Sequence, residues 1–151
     1  MSSDLDAVTD AVLLSSRVLV AVASRSLAAV DDSVTLPQFR ALVVLDRADR
    51  RVGDLARELR IQPSTATRLC DRLVRQRLVR RSADRANRRE IIVSLSPKGR
   101  ALVDEVTRRR RREIAQIMRR VPPPQRAMIV EALTVFQEAA GEDPLVATVP
   151  W

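Results

Sequence analysis

Between Val52 and Leu95 the hydrophobic period changes once, from that of a helix to that of a strand. Val52, Leu55, Ala56 and Leu59 recur at helical spacing, and after a tight connection at Ile61 so do Ala66, Leu69, Cys70 and Leu73. Val79, and then Ile91, Val93 and Leu95, alternate instead, on either side of the polar and basic stretch Ser82 to Glu90. Two short helices followed by a hairpin with a long basic tip leave few packings open. The pattern predicts a helix-turn-helix with a β wing.

The flanks are helical. Residues 5–30 hold Leu5, Val8, Val12, Leu14, Leu19, Val22 and Leu27 with no Pro or Gly, which predicts a long helix apolar on more than one face. Such a helix must bury two sides, one of them against a partner chain. Thr35-Leu36-Pro37-Gln38 has the form of a capping box with an early proline, and Leu36, Phe39, Leu42, Val43 and Leu45 follow as a core face. Asp46 to Arg50 reads as a polar turn. Ser96-Pro97 starts a helix reaching about Arg120, Pro122-Pro123-Pro124 breaks it, and a last helix with Met128, Leu133, Val135 and Phe136 ends near Gly141. The expected organisation is a pairing helix in 1–34, a winged helix-turn-helix in 35–96, a connecting helix and second pairing helix in 97–141, and a tail in 142–151. The fold class is mainly α with an α+β wing.

Charge singles out the same middle region. The net charge of +8 divides into −3 for residues 1–34, +10 for 35–100 and +1 for 101–151. Of 27 basic residues only Lys98 is a lysine. Arginine's planar fork suits phosphates and guanine edges. With Ala66, Leu69, Cys70 and Leu73 turned inward, the second short helix displays Ser64, Thr65, Thr67, Arg68, Asp71 and Arg72. Its small hydroxyls permit close approach to a duplex, and Arg68 can read guanine. The hairpin tip offers Arg85, Arg88 and Arg89 to the backbone or the neighbouring minor groove.

These segments resemble the MarR family of winged helix-turn-helix transcription regulators. Thr35-Leu36-Pro37-Gln38-Phe39, Asp54-Leu55-Ala56-Arg57-Glu58-Leu59 and Pro63-Ser64-Thr65-Ala66-Thr67-Arg68-Leu69 look like its helix start, its first DNA-binding-unit helix and its recognition helix. Leu78-Val79-Arg80-Arg81, Asn87-Arg88-Arg89, Val93-Ser94-Leu95-Ser96 and Pro97-Lys98-Gly99-Arg100 look like its wing and the helix after it. The resemblance implies a cytoplasmic homodimer paired through its terminal helices, a repressor on an inverted-repeat operator in double-stranded DNA. It also implies, as for many members, release by a small, often aromatic acid. Three positions depart from the family pattern. Asn87 stands where a wing aspartate is usual, which puts in question how Arg89 is held. Arg60 and Arg77 stand at turns where glycine is usual, so either the turns differ or two arginines tolerate a positive φ.

Other features read plainly. Cys70 on the apolar face is expected to be a packed, inert thiol, and a single cysteine fits a reducing compartment. Arg17 is expected to lay its stem on apolar surface with its head in water, and Arg108 to Arg112 to spread around a helix into solvent. The acidic start from Met1 to Asp10 argues against a secretory signal, and the lack of an apolar run of roughly 18 residues predicts no membrane span. With no His, no Tyr and neither a phosphate-loop nor a nucleophile-elbow motif, the expectation is a non-enzyme without cofactor or metal. The competing reading is a winged-helix module whose basic face meets an acidic protein.

Overall fold

A computed structural model of the protein describes residues 2–141. The order is α1 (Ser2–Ala28), α2 (Leu36–Arg47), β1 (Arg50–Arg51), α3 (Val52–Leu59), α4 (Pro63–Arg75), β2 (Val79–Ala83), β3 (Ile91–Leu95), α5 (Pro97–Arg119) and α6 (Pro123–Ala139). The tail expected in 142–151 lies outside the described residues. The chain divides into two compact units, residues 24–106 and residues 1–23 with 107–151.

The first unit is the winged helix. The Thr35 hydroxyl accepts from the Gln38 N–H, and the Gln38 side chain accepts from the Thr35 N–H at 2.9 Å, so the capping box read from the sequence forms. Leu42, Leu45, Leu55, Leu73, Leu78, Val93, Val103 and Val106 are fully buried, as are Ala66 and Cys70. Burial of a Leu or Val stabilises by about 1.5–3 kcal/mol, and this aliphatic set replaces the aromatic core the composition excludes. Desolvation pushes the Cys70 thiol up from its ordinary value, as expected of an inert packed thiol.

The sheet has the order β1-β3-β2 and is antiparallel throughout, with Val79 opposite Leu95, Arg81 opposite Val93 and Ala83 opposite Ile91. β1 corrects the sequence reading, which placed a plain turn at Asp46 to Arg50. α2 runs through Arg47, and Arg50 and Arg51 pair with Val93 and Ile92. Two consecutive arginines carry no apolar signal that could announce a strand.

The join between the wing and α5 is tight. Ser96 caps α5 by accepting from the Gly99 N–H at 2.9 Å, and its hydroxyl donates to the Arg77 carbonyl at 2.8 Å. A Cβ on Gly99 would lie 2.2 Å from the Leu78 carbonyl oxygen, so backbone contact requires glycine there. Arg60 (φ 54°) ends α3 and Arg77 (φ 59°) follows α4, both left-handed. The turns therefore keep the geometry that glycine would adopt freely, at a cost of about 1–2 kcal/mol per arginine.

In the second unit, α1 and α6 are conspicuous for what they leave uncovered. Leu5, Val8, Leu13, Leu14, Val18, Leu19 and Val20 are exposed, Leu5 by 69%, and so are Met128, Val130, Leu133, Val135 and Phe136. No residue of α6 is buried. In α5, Arg108, Arg109, Arg111 and Arg112 are exposed, whereas Arg110 is half-buried and its guanidinium is shifted down by that burial. The expectation of no membrane span rested on counting unbroken apolar runs, and length and composition alone do not decide it. Asp4–Ala28 is a helix long and apolar enough to cross a membrane by length and composition, an 18-residue window of it having a mean hydropathy of 1.6. Arg17 and Arg25 interrupt the apolar residues, but alanines and valines around them carry the average.

Candidate nucleic-acid interface

α4 is held from behind by Ala66, Leu69, Cys70 and Leu73, and this fixes what its other side presents. Ser64, Thr65, Thr67, Arg68 and Arg72 are all exposed. They are five of the six residues expected on the outward face, and they share one helix face; the sixth, Asp71, is half-buried. Thr67 donates its hydroxyl to the Pro63 carbonyl at 3.0 Å, leaving its oxygen as an acceptor. Asp71 is engaged by Arg81 at 2.6 Å, which ties α4 to β2 and partly neutralises the only carboxylate of this helix.

The distribution of ion pairs is selective. Arg50 is paired with Glu58 at 2.9 Å, Arg57 with Asp54, and Arg100 with Asp46 at 2.6 Å. Arg60, Arg68, Arg72, Arg75, Arg77, Arg80, Arg85, Arg88 and Arg89 make no ion pair among the described residues. These nine lie on the helix face, the turns and the wing, where a polyanion would supply the missing charge, and of the arginines between Arg60 and Arg89 only Arg81 is paired. Elsewhere among the described residues Arg17, Arg47, Arg111, Arg119, Arg120 and Arg126 also lack an ion pair.

The wing is anchored differently from the expectation. Asn87 accepts from the backbone N–H of Arg89 at 3.2 Å, and its carbonyl accepts from Glu90. It shapes the turn and does not hold the Arg89 guanidinium, which is exposed along with Arg85 and Arg88. The anchor is Asp84, only 7% exposed. One of its oxygens accepts from the Ala86 N–H at 2.9 Å and the other takes Nε and Nη2 of Arg51 at 3.0 and 2.7 Å. Glu90 adds a second ion pair to Arg51 at 2.6 Å. The Ala86 N–H and the Arg51 guanidinium together hold the Asp84 carboxyl below its ordinary value, and Arg51 is raised in turn, chiefly through its hydrogen bond to Asp84. Sequence reasoning missed both residues, because Asp84 and Arg51 lie 33 positions apart and belong to no local pattern.

A folded value below the unfolded one stabilises above the unfolded carboxylate range, near pH 4, and the contribution is lost as pH falls through the folded value. The wing is therefore expected to loosen below about pH 4. In hydrogen exchange, the protection of residues 84–90 relative to the intrinsic rate at each pH should be as low in Asp84→Asn at neutral pH as in the wild type in acid. Equal protection in both proteins at neutral pH would dismiss Asp84 as the anchor.

No group of three or more His, Cys, Asp or Glu side chains that could hold a metal occurs among the described residues.

Comparison with known proteins places this geometry. A family model described as the MarR family matches residues 32–90. The crystal structure of RV1404 from Mycobacterium tuberculosis superposes with a TM-score of 0.85 at 44% identity, over 92% of this chain and 95% of that one. A MarR family protein from Bacillus stearothermophilus superposes with a TM-score of 0.84, over 94% of this chain and 99% of that one, and at 23% identity it attests the fold alone. An uncharacterized HTH-type transcriptional regulator, YsmB of Bacillus subtilis, is 35% identical over 79 residues, 52% of this chain. That match spans about half, 54%, of the YsmB length.

Proposed function

Because the chain belongs to the MarR family of winged helix-turn-helix transcription regulators, we propose that it is a sequence-specific DNA-binding regulator, a homodimer that represses from an inverted-repeat operator. The observation that carries the reading is the α4 face, where Ser64, Thr65, Thr67, Arg68 and Arg72 are exposed together. An α-helix fits the major groove, and residues near its N-terminus reach base edges. In this reading Arg68 reads a guanine and the hydroxyls fix the helix at close range. Arg85, Arg88 and Arg89 hold the duplex backbone or minor groove from the wing.

The terminal helices support the homodimer. An apolar α1 and an α6 without buried residues need a cover, and a second copy supplies the same faces by two-fold symmetry. A bilayer would also cover α1, but it would take up Arg17 near mid-span at a cost of about 2.5–3.5 kcal/mol. At a helix pair the Arg17 head stays in water. The family resemblance extends the proposal to release by a small acidic effector, for which loss of duplex binding on titration with aromatic acids is the test.

The roles of helix and wing separate experimentally. Arg68→Ala is expected to reduce the ratio of operator to random-duplex affinity by about 1–3 kcal/mol, roughly 5- to 150-fold, the worth of a good base contact. Arg88→Ala should weaken both duplexes alike. Titration of each variant against genomically selected and scrambled duplexes measures this. An unchanged ratio in Arg68→Ala would remove Arg68 from the base-reading set.

A further inference from the structure

We propose that the notch between the end of α4, β2 and the start of α5 is a phosphate-binding site built from Arg77, Arg80 and Lys98. The notch is a cavity of about 450 Å3 whose apolar floor includes Val74 and Val79, and no carboxylate lines it. The Lys98 ammonium donates to the Gln76 carbonyl at 3.0 Å, which fixes it at the rim and leaves two of its N–H groups for a ligand. Arg77 and Arg80 are exposed and have no ion pair among the described residues.

Two contrasts lift this above a generally basic surface. Arg81, the neighbour of Arg80 in β2, is taken up by Asp71, and Arg100, two residues past Lys98, by Asp46. Arg81 and Arg100 are thus neutralised within the chain, whereas Arg77, Arg80 and Lys98, which share the notch, are not, and neither is Arg75 beside it. Secondly, Arg77 occupies a left-handed position, φ 59°, where glycine would be unstrained. Backbone strain kept for one side chain points to a use for that side chain. Guanidinium forks and an ammonium converging on one cavity suit a tetrahedral oxyanion carrying two charges.

Phosphate can reach the notch from two sources, a free phosphorylated small molecule or the backbone of bound DNA. The thermal arm of the test uses no DNA, so it stands or falls separately from the regulator reading. Full-length protein is unfolded thermally in pyrophosphate and in sodium chloride of equal ionic strength. For a free ligand the midpoint should rise by about 5–10 °C at a hundredfold excess over Kd. Arg80→Ala and Arg77→Gly should abolish that rise, and Arg68→Ala should keep it. Arg77→Gly is the sharper variant, because relief of strain should raise its midpoint without pyrophosphate while the response is lost. In the second arm, the salt dependence of duplex binding is compared in the same variants. A slope reduced by about 0.9 in Arg80→Ala identifies the phosphate as the DNA's. An unchanged slope with a lost pyrophosphate response identifies a free ligand. A response that is absent or equal in wild type and variants, with the slope also unchanged, overturns the site.

Discussion

Inserting about 5 bp between the half-sites of the operator is expected to abolish tight binding. In the proposed homodimer, two copies related by a two-fold axis would present two α4 helices to one face of the duplex, with half-site centres about 10 bp, one helical turn, apart. Half a turn of extra DNA carries the second half-site to the far side, and only one helix can then be seated. Affinity should fall toward that for random duplex, by about 10³ or more. Insertion of a whole turn should restore part of it if the dimer or DNA can flex. The measurement is a footprint on genomically selected DNA followed by titration of spaced variants. Tight binding that survived the half-turn insertion would mean that the chain does not bind as a rigid two-fold dimer.

The second large effect is expected at α1. Deleting the whole helix would confuse pairing with folding, since Val22, Ser26 and Leu27 near its end are buried. Leu14 and Val18 are exposed, and lie one turn apart on the part of α1 that precedes those residues. Leu14→Asp with Val18→Asp would bring four carboxylates into a two-fold interface. An unpaired charge left at a buried contact costs about 3–5 kcal/mol, so the dimer Kd should rise by roughly 10² to 10³-fold or more. Sedimentation across a concentration series reads the change, and circular dichroism confirms that the helices persist. A variant with the wild-type dimer Kd would show that this face of α1 is not where two copies meet.

The winged helix was legible because its signals are local. The Thr35 capping box, the inward spacing of Ala66, Leu69, Cys70 and Leu73, and the alternation of Ile91, Val93 and Leu95 each act within a few residues. The recognition face followed from them, since residues not turned inward must face out. What escaped the reading depends on contacts between distant positions. β1 is two residues long and is a strand only because β3 lies beside it. Asp84 is a wing anchor only because Arg51 reaches it, whereas Asn87, in the position where the family pattern directed attention, shapes the turn through backbone bonds. The left-handed arginines were half-legible: the turn positions could be named from the sequence, but only backbone geometry decides between a changed turn and a strained one.

Arg51 has a second duty besides gripping the wing. It is the residue immediately before α3, and it stands at that helix's N-cap, where a guanidinium has no acceptor to offer the free N–H groups and is instead engaged by Asp84 and Glu90. One residue thus fastens the hairpin to the front of the helix-turn-helix. A wing hinged only at its base would have to be frozen out of many orientations on meeting a duplex, and ordering of that kind opposes association. Here much of that freedom is surrendered during folding. In the proposed complex the winged helix would therefore meet DNA as a preset template: adjustment to groove width would fall on the DNA, and sequences whose grooves deform readily are expected to be favoured even at base pairs that no side chain touches.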